Sequence, residues 1–139
     1  MYVYRKSHNM AMSHEWMRYQ SYWMHYRWAD RHGDDMIGRL WRGANAWGDD
    51  VNQVYMKLMG LSAADFYRDY MDAAMHFVTW DFRNEDWRRR GSYFDIGNFV
   101  YNYVPVGAGE FQVAYYSCPQ STGYNVIPLD VPQAGTTVS

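Results

Sequence analysis

The front of the chain carries the residues whose types and spacing could do chemistry: Ser7, His8, Asn9, His14, Glu15, Arg18 and His25. His8 and His14 flank a five-residue bridge that can fold back on itself, so two imidazoles can converge there in a way that two positions within one helix could not. Converged, they are candidate metal ligands, with zinc the metal considered, or candidate proton-transfer groups with Glu15 as base. Ser7, Asn9, Arg18 and His25 are the candidate substrate-binding residues around them. A second reading of the same segment is a loop-to-helix junction in which His8 and Asn9 satisfy backbone groups.

Other catalytic signatures fail. The metalloprotease pattern HExxH breaks because Arg18 stands where the second histidine after His14-Glu15 belongs. There is no GxSxG elbow, and Gly107-Ala108-Gly109 lacks the Lys-Ser/Thr of a phosphate loop and reads as a turn. The single cysteine, Cys118, closes no intrachain disulfide, belongs to no CxxC pair, and lies beside Pro119 in the half of the chain that holds no histidine.

These residues must be positioned by the elements around them. Ser13 is a plausible N-cap for a helix over 14–32, in which Trp16, Tyr19, Trp23 and Tyr26 recur at the spacing of one buried face before Gly33 stops it. His14, Arg18, Ser21, His25 and His32 then share the opposite stripe. The rise of about 1.5 Å per residue separates His14 from His25 by roughly 16 Å, so they cannot hold one ion. Asp34-Asp35 precede a second, short helix with Met36, Ile37, Leu40 and Trp41 on one side, ended by Gly43. Asp49-Asp50 precede a third, with Val51, Val54, Tyr55, Leu58 and Met59 apolar and Gly60 placed for a left-handed stop. Ser62 and Asp65 have capping-box spacing for a fourth, running to about Val78 and burying Phe66, Tyr70, Ala73, Ala74 and Phe77, with His76 a packed or capping histidine near its end. Arg88-Arg89-Arg90 reads as a solvated turn between helix and strand.

The chain has 139 residues, the size of one domain. All 13 Lys and Arg, all five His and all seven Trp lie in residues 1–90, whereas residues 91–139 hold all four Pro and three acids. The front carries 13 basic against 12 acidic side chains and the tail is net −3. We therefore read a helical bundle over 1–90 and a β-rich region over 91–139, packed as one α+β unit. In the tail, 99–104 and 111–116 are strand-forming runs about a Pro105–Gly109 turn, and 122–129 is a third candidate, held to an edge by Pro128. The run at 136–139 reads as a strand just beginning, so the chain is expected to be part of something longer. The overall charge of −2 leaves no basic excess for a nucleic-acid backbone, and no apolar run reaches the ~18 residues of a membrane span. The opening residues lack the apolar core of a signal peptide.

Three segments together resemble a known family: Ser7-His8-Asn9-Met10-Ala11-Met12-Ser13-His14, the aromatic helix leading into Tyr26-Arg27-Trp28-Ala29-Asp30-Arg31-His32-Gly33, and Tyr115 to Leu129 with its Gly123-Tyr124-Asn125-Val126-Ile127-Pro128-Leu129 strand. They resemble a bacterial family of secreted proteins of unknown function, some of whose members are labelled avirulence proteins, and whose layout is similar to zinc-peptidase-like proteins. The resemblance covers most of the chain. It implies secretion, an extracellular site of action, flanking domains, and a polar site at Ser7, His8, Asn9 and His14. The chain departs from the pattern at Lys6, where the family has an acidic residue.

Two functions compete. One is a secreted hydrolase-like or peptidase-like domain working through His8, His14 and Glu15. The other is a noncatalytic module that binds an extracellular glycan or protein through exposed aromatic residues. The aromatic content of 19% motivates the second, since rings give large contact area at low entropic cost. The same surplus is also expected to serve the core, self-association or a flanking domain.

Overall fold

A computed structural model describes residues 6–17, 19, 21–45, 48–93, 103–127 and 134, with 90–93 described by their backbone alone. Five helices are described: α1 (Trp23–His32), α2 (Met36–Gly43), α3 (Val51–Met59), α4 (Ala63–Thr79) and α5 (Glu85–Tyr93). A two-stranded antiparallel hairpin follows, β1 (Tyr103–Gly107) and β2 (Glu110–Val113), and then a 3₁₀ turn at Tyr115–Ser117. The architecture is α+β with a helical front.

Helices α3 and α4 form where local chemistry specifies them. Asp50 Oδ1 accepts from the Asn52 and Gln53 N–H groups, two of the donors a helix start leaves without partners, and Gly60 closes α3 at φ 64°. The Ser62 and Asp65 side chains each bond the other's backbone, the full capping box of α4. Helix α2 forms without such help, since Asp35 makes no side-chain cap bond and the burial of Met36 and Leu40 carries the element.

Helix α1 begins at Trp23, nine residues later than the spacing predicts. The described residues among 12–22 run as tight turns and a bend, with His14 N–H bonded to Ala11 O and Met17 N–H to His14 O. Met12 and Met17 are both buried. Trp16 and Tyr19, read as core, are 66% and 72% exposed. Ser13 is correspondingly exposed and starts no helix.

Helix α5 occupies the segment read as a basic turn. Asn84 Oδ1 accepts from the Asp86 and Trp87 N–H groups, and Glu85 and Asp86 fill the first turn. The buried Asp30 of α1 holds this start in place by accepting from Arg83 and Asn84 N–H at 2.8 and 3.1 Å. The core is a chain of rings about α1. Trp28 stacks on Tyr55 of α3 at 4.3 Å, Tyr26 stacks on Trp87 of α5 at 4.3 Å, and Trp23 meets Trp80 edge-on at 4.4 Å. Burying each such ring stabilises the fold by about 1.5–3 kcal/mol.

In the tail, Tyr103 pairs with Val113 and Pro105 with Phe111, the register shifting before Gly107. Residues 99–102 of the expected first strand lie outside the described residues. The second strand is shorter than expected, because 115–117 wind into the 3₁₀ turn. Residues 122–127 form no strand, and 128–129 lie outside the described residues. That segment instead clasps the front of the chain. Gln120 N–H bonds Asn9 O at 2.8 Å, Tyr124 N–H bonds His8 O at 2.9 Å, and Tyr67 of α4 meets Ser121 at 3.1 Å.

Candidate functional site

The clasp decides what Ser7, His8 and Asn9 do. All three are buried, His8 to 2% exposure, with its ring 5.4 Å from that of Tyr124. Ala11 N–H donates to Gln120 Oε1 and Met12 N–H to Thr122 Oγ1, so side chains of the tail satisfy the backbone just beyond. A Cβ at Gly123 would collide with the Asn9 carbonyl oxygen; only glycine allows the two backbones to approach so closely. The space that His8 shares with Met10, Met17, Trp23, Tyr70 and Phe77 amounts to about 10 Å³, no more than one water would need. Burial pushes the Tyr70 hydroxyl up to about 12 against the opposing effect of its Thr122 hydrogen bond, so it stays protonated.

The remaining candidates stand apart from this packed junction. His14 is half-buried, its Nδ1 accepting from Trp16 N–H at 3.2 Å and its ring edge-on to Trp16. Glu15 is exposed, and Arg18 lies outside the described residues. A zinc site takes at least three protein ligands. Among the described residues no three His, Cys, Asp or Glu side chains form a group that could hold a metal, so His8, His14 and Glu15 do not fit zinc as a set. Cys118 is exposed.

His25 has a different setting. It is half-buried in α1 against Trp28, and burial lowers its pKa although its hydrogen bond to the Tyr22 backbone opposes the shift. Burial thus favours the neutral imidazole, in which one ring nitrogen donates and the other accepts. Two cavities meet at this residue. One, of about 190 Å³, is lined by His25, Leu40, Trp41, Ala44, Asp49, Val51 and Val54. The other, of about 270 Å³, is lined by Met12, Ser13, Ser21, His25, Asp50, Val51 and Asn52. Trp41 stands on the first at 77% exposure. Asp49 of the first cavity and Asp50 of the second sit at the start of α3, where Asp49 accepts from Asn45 N–H and Asp50 caps the helix, so backbone amides already balance part of their charge.

A third region is charged. Arg27 bonds Asp72 at 2.6 Å, Arg31 bonds Asp69 and lies 3.5 Å from Asp72, and the Tyr55 hydroxyl donates to Asp69 at 2.6 Å. With its proton committed to Asp69, the Tyr55 oxygen accepts from His32 Nε2 at 2.8 Å. Burial, and then the Arg31 charge, lowers the His32 pKa; burial and Asp69 raise that of Tyr55. This network edges an open cleft of about 510 Å³ and ties α1 to α3 and α4.

A family model described as "Family of unknown function (DUF6055)" matches residues 1–139. The chain belongs to that family. No curated protein and no solved structure matches it. In this DUF6055 member, sequence reasoning placed His25 on a polar stripe but assigned Trp41 to the buried side of α2. The angular position of Trp41, about 140° around the helix from Met36, was the available signal that it flanks the apolar stripe. The His32–Tyr55–Asp69 chain had no such signal, because its members lie on three elements.

Proposed function

We propose that this chain is a noncatalytic recognition module of a secreted bacterial protein, binding an extracellular ligand through the groove walled by Trp41. The observation that carries the reading is the exposure of Trp41 on a helix that buries Met36 and Leu40, at the mouth of a preformed cavity with convergent polar groups. Exposed aromatic side chains beside a concave surface are the usual anchors of recognition sites. Trp16 and Tyr19, both exposed, add aromatic surface. The secreted, extracellular setting rests on the resemblance of the SHN and GYNVIPL segments.

The hydrolase reading, through His8, His14 and Glu15, has weaker support: His8 sits in a packed junction with no room for substrate, and among the described residues no metal-ligand group accompanies it. Glycan and peptide arrays probed with the wild-type chain and with Trp41→Ala test the proposal. Ligands retained by the wild type and lost by the variant, at equal thermal stability, are expected. Ligands that bind both equally, or turnover that vanishes with His8→Ala or His14→Ala in folded protein, would overturn it.

A further inference from the structure

We infer that the groove accepts two adjacent rings of a neutral oligosaccharide, one stacked on Trp41 and the next over Ser21 and Asn52. The inference rests on the recognition-module reading above and adds the ligand class and register. The two cavities share His25 and Val51 as lining residues, so they are neighbouring compartments on one face. Their characters differ. Leu40, Val51 and Val54 beside the Trp41 indole offer the first compartment an apolar floor for the C–H face of a pyranose. Ser13, Ser21, Asp50 and Asn52 offer the second a set of hydrogen-bonding groups for hydroxyls.

Three observations narrow the ligand further. Among the described residues, those lining the two compartments include Asp49 and Asp50 but no Lys or Arg, a setting that disfavours uronic acids and sulfated sugars. Both carboxylates already accept backbone N–H groups at the start of α3, which weakens the pull of the groove on a free cation. Finally, Asn52 lines the second compartment with a side-chain amide, a group suited to pairing with neutral hydroxyls. His25 lines both compartments, and its imidazole is a hydrogen-bonding group suited to a hydroxyl near the glycosidic link.

Calorimetric titration of the full chain with glucose, cellobiose, mannobiose, chitobiose and xylobiose, beside digalacturonate and an oligolysine peptide, tests this. At least one neutral disaccharide should bind about tenfold more tightly than glucose. Trp41→Ala should abolish both, and Asn52→Ala should bring the disaccharide down to the monosaccharide level while leaving the monosaccharide unchanged. Equal affinity for one and two rings, or indifference to Asn52→Ala, would overturn the two-ring inference and leave the recognition reading standing if Trp41→Ala still abolished binding. Preference for digalacturonate or oligolysine would overturn the neutral-sugar assignment. Absence of binding by every probe here, and by the arrays, would overturn both.

Discussion

The His8 junction and the Trp41 groove use the same kinds of residue in opposite ways. At the junction a histidine, a serine and an asparagine, the types most suggestive of chemistry, are enclosed by the tail until about 10 Å³ remains. At the groove a tryptophan, the type most expected in a core, stands in solvent over a cavity of about 190 Å³. Residue type proposes a role, but the space around the side chain decides it. At the junction the His8 and Asn9 carbonyls and the Gln120 and Thr122 side chains accept backbone N–H groups and hold two distant segments together, whereas the ring at the groove is left as contact surface.

If that contrast is right, the largest effect on stability should come from the junction. Gly123→Ala forces a methyl into the Asn9 carbonyl, with backbone rather than a flexible side chain in the way. A loss of about 3 kcal/mol or more is expected from denaturant midpoints, and an unchanged midpoint would break the clasp account. Next, the two candidate ligands should separate. His8→Ala should cost about 2 kcal/mol through lost packing, and His14→Ala less than about 0.5 kcal/mol. Equal costs would contradict their different burial.

Acidification gives a smaller, graded effect. His25 and His32 have pKa values below 6.5 in the folded chain. The unfolded state therefore binds more protons as pH falls through 6.5 toward those lowered values, and stability should decline over that window. Asp72, whose pKa is lowered chiefly by Arg27, adds a second decline as pH falls below 3.8 toward its own folded value. Thermal midpoints across pH 3–8 check both, and His32→Gln should flatten part of the upper limb. The smallest effect should be that of Trp41→Ala, under about 0.5 kcal/mol on stability, since its ring is already in water.

Much of the fold was legible where one residue specifies a backbone bond. Asp50, Gly60, Ser62 and Asp65 marked α3 and α4, and they act in the structure as their types require. The spacing overextends helix α1 because Trp16 and Tyr19 share helical periodicity with Trp23 by sequence alone, whereas the structure leaves both rings exposed and buries Met12 and Met17. Helix α5 carried a usable signal in Asn84-Glu85-Asp86, hidden behind the conspicuous arginine run. The candidate site was less legible, because the groove draws on α1, α2 and the start of α3, and only His25 stood out beforehand. Nor could spacing show that His8 and Tyr124 meet, since loop closure across the whole chain leaves no local pattern.

The most direct test is to titrate the neutral disaccharides into three chains side by side: wild type, Trp41→Ala and His8→Ala, the last at a temperature where it remains folded. The account predicts binding by the wild type and by His8→Ala and none by Trp41→Ala. Binding that survives in Trp41→Ala, or that disappears in folded His8→Ala, would contradict it and return the chemistry to the junction.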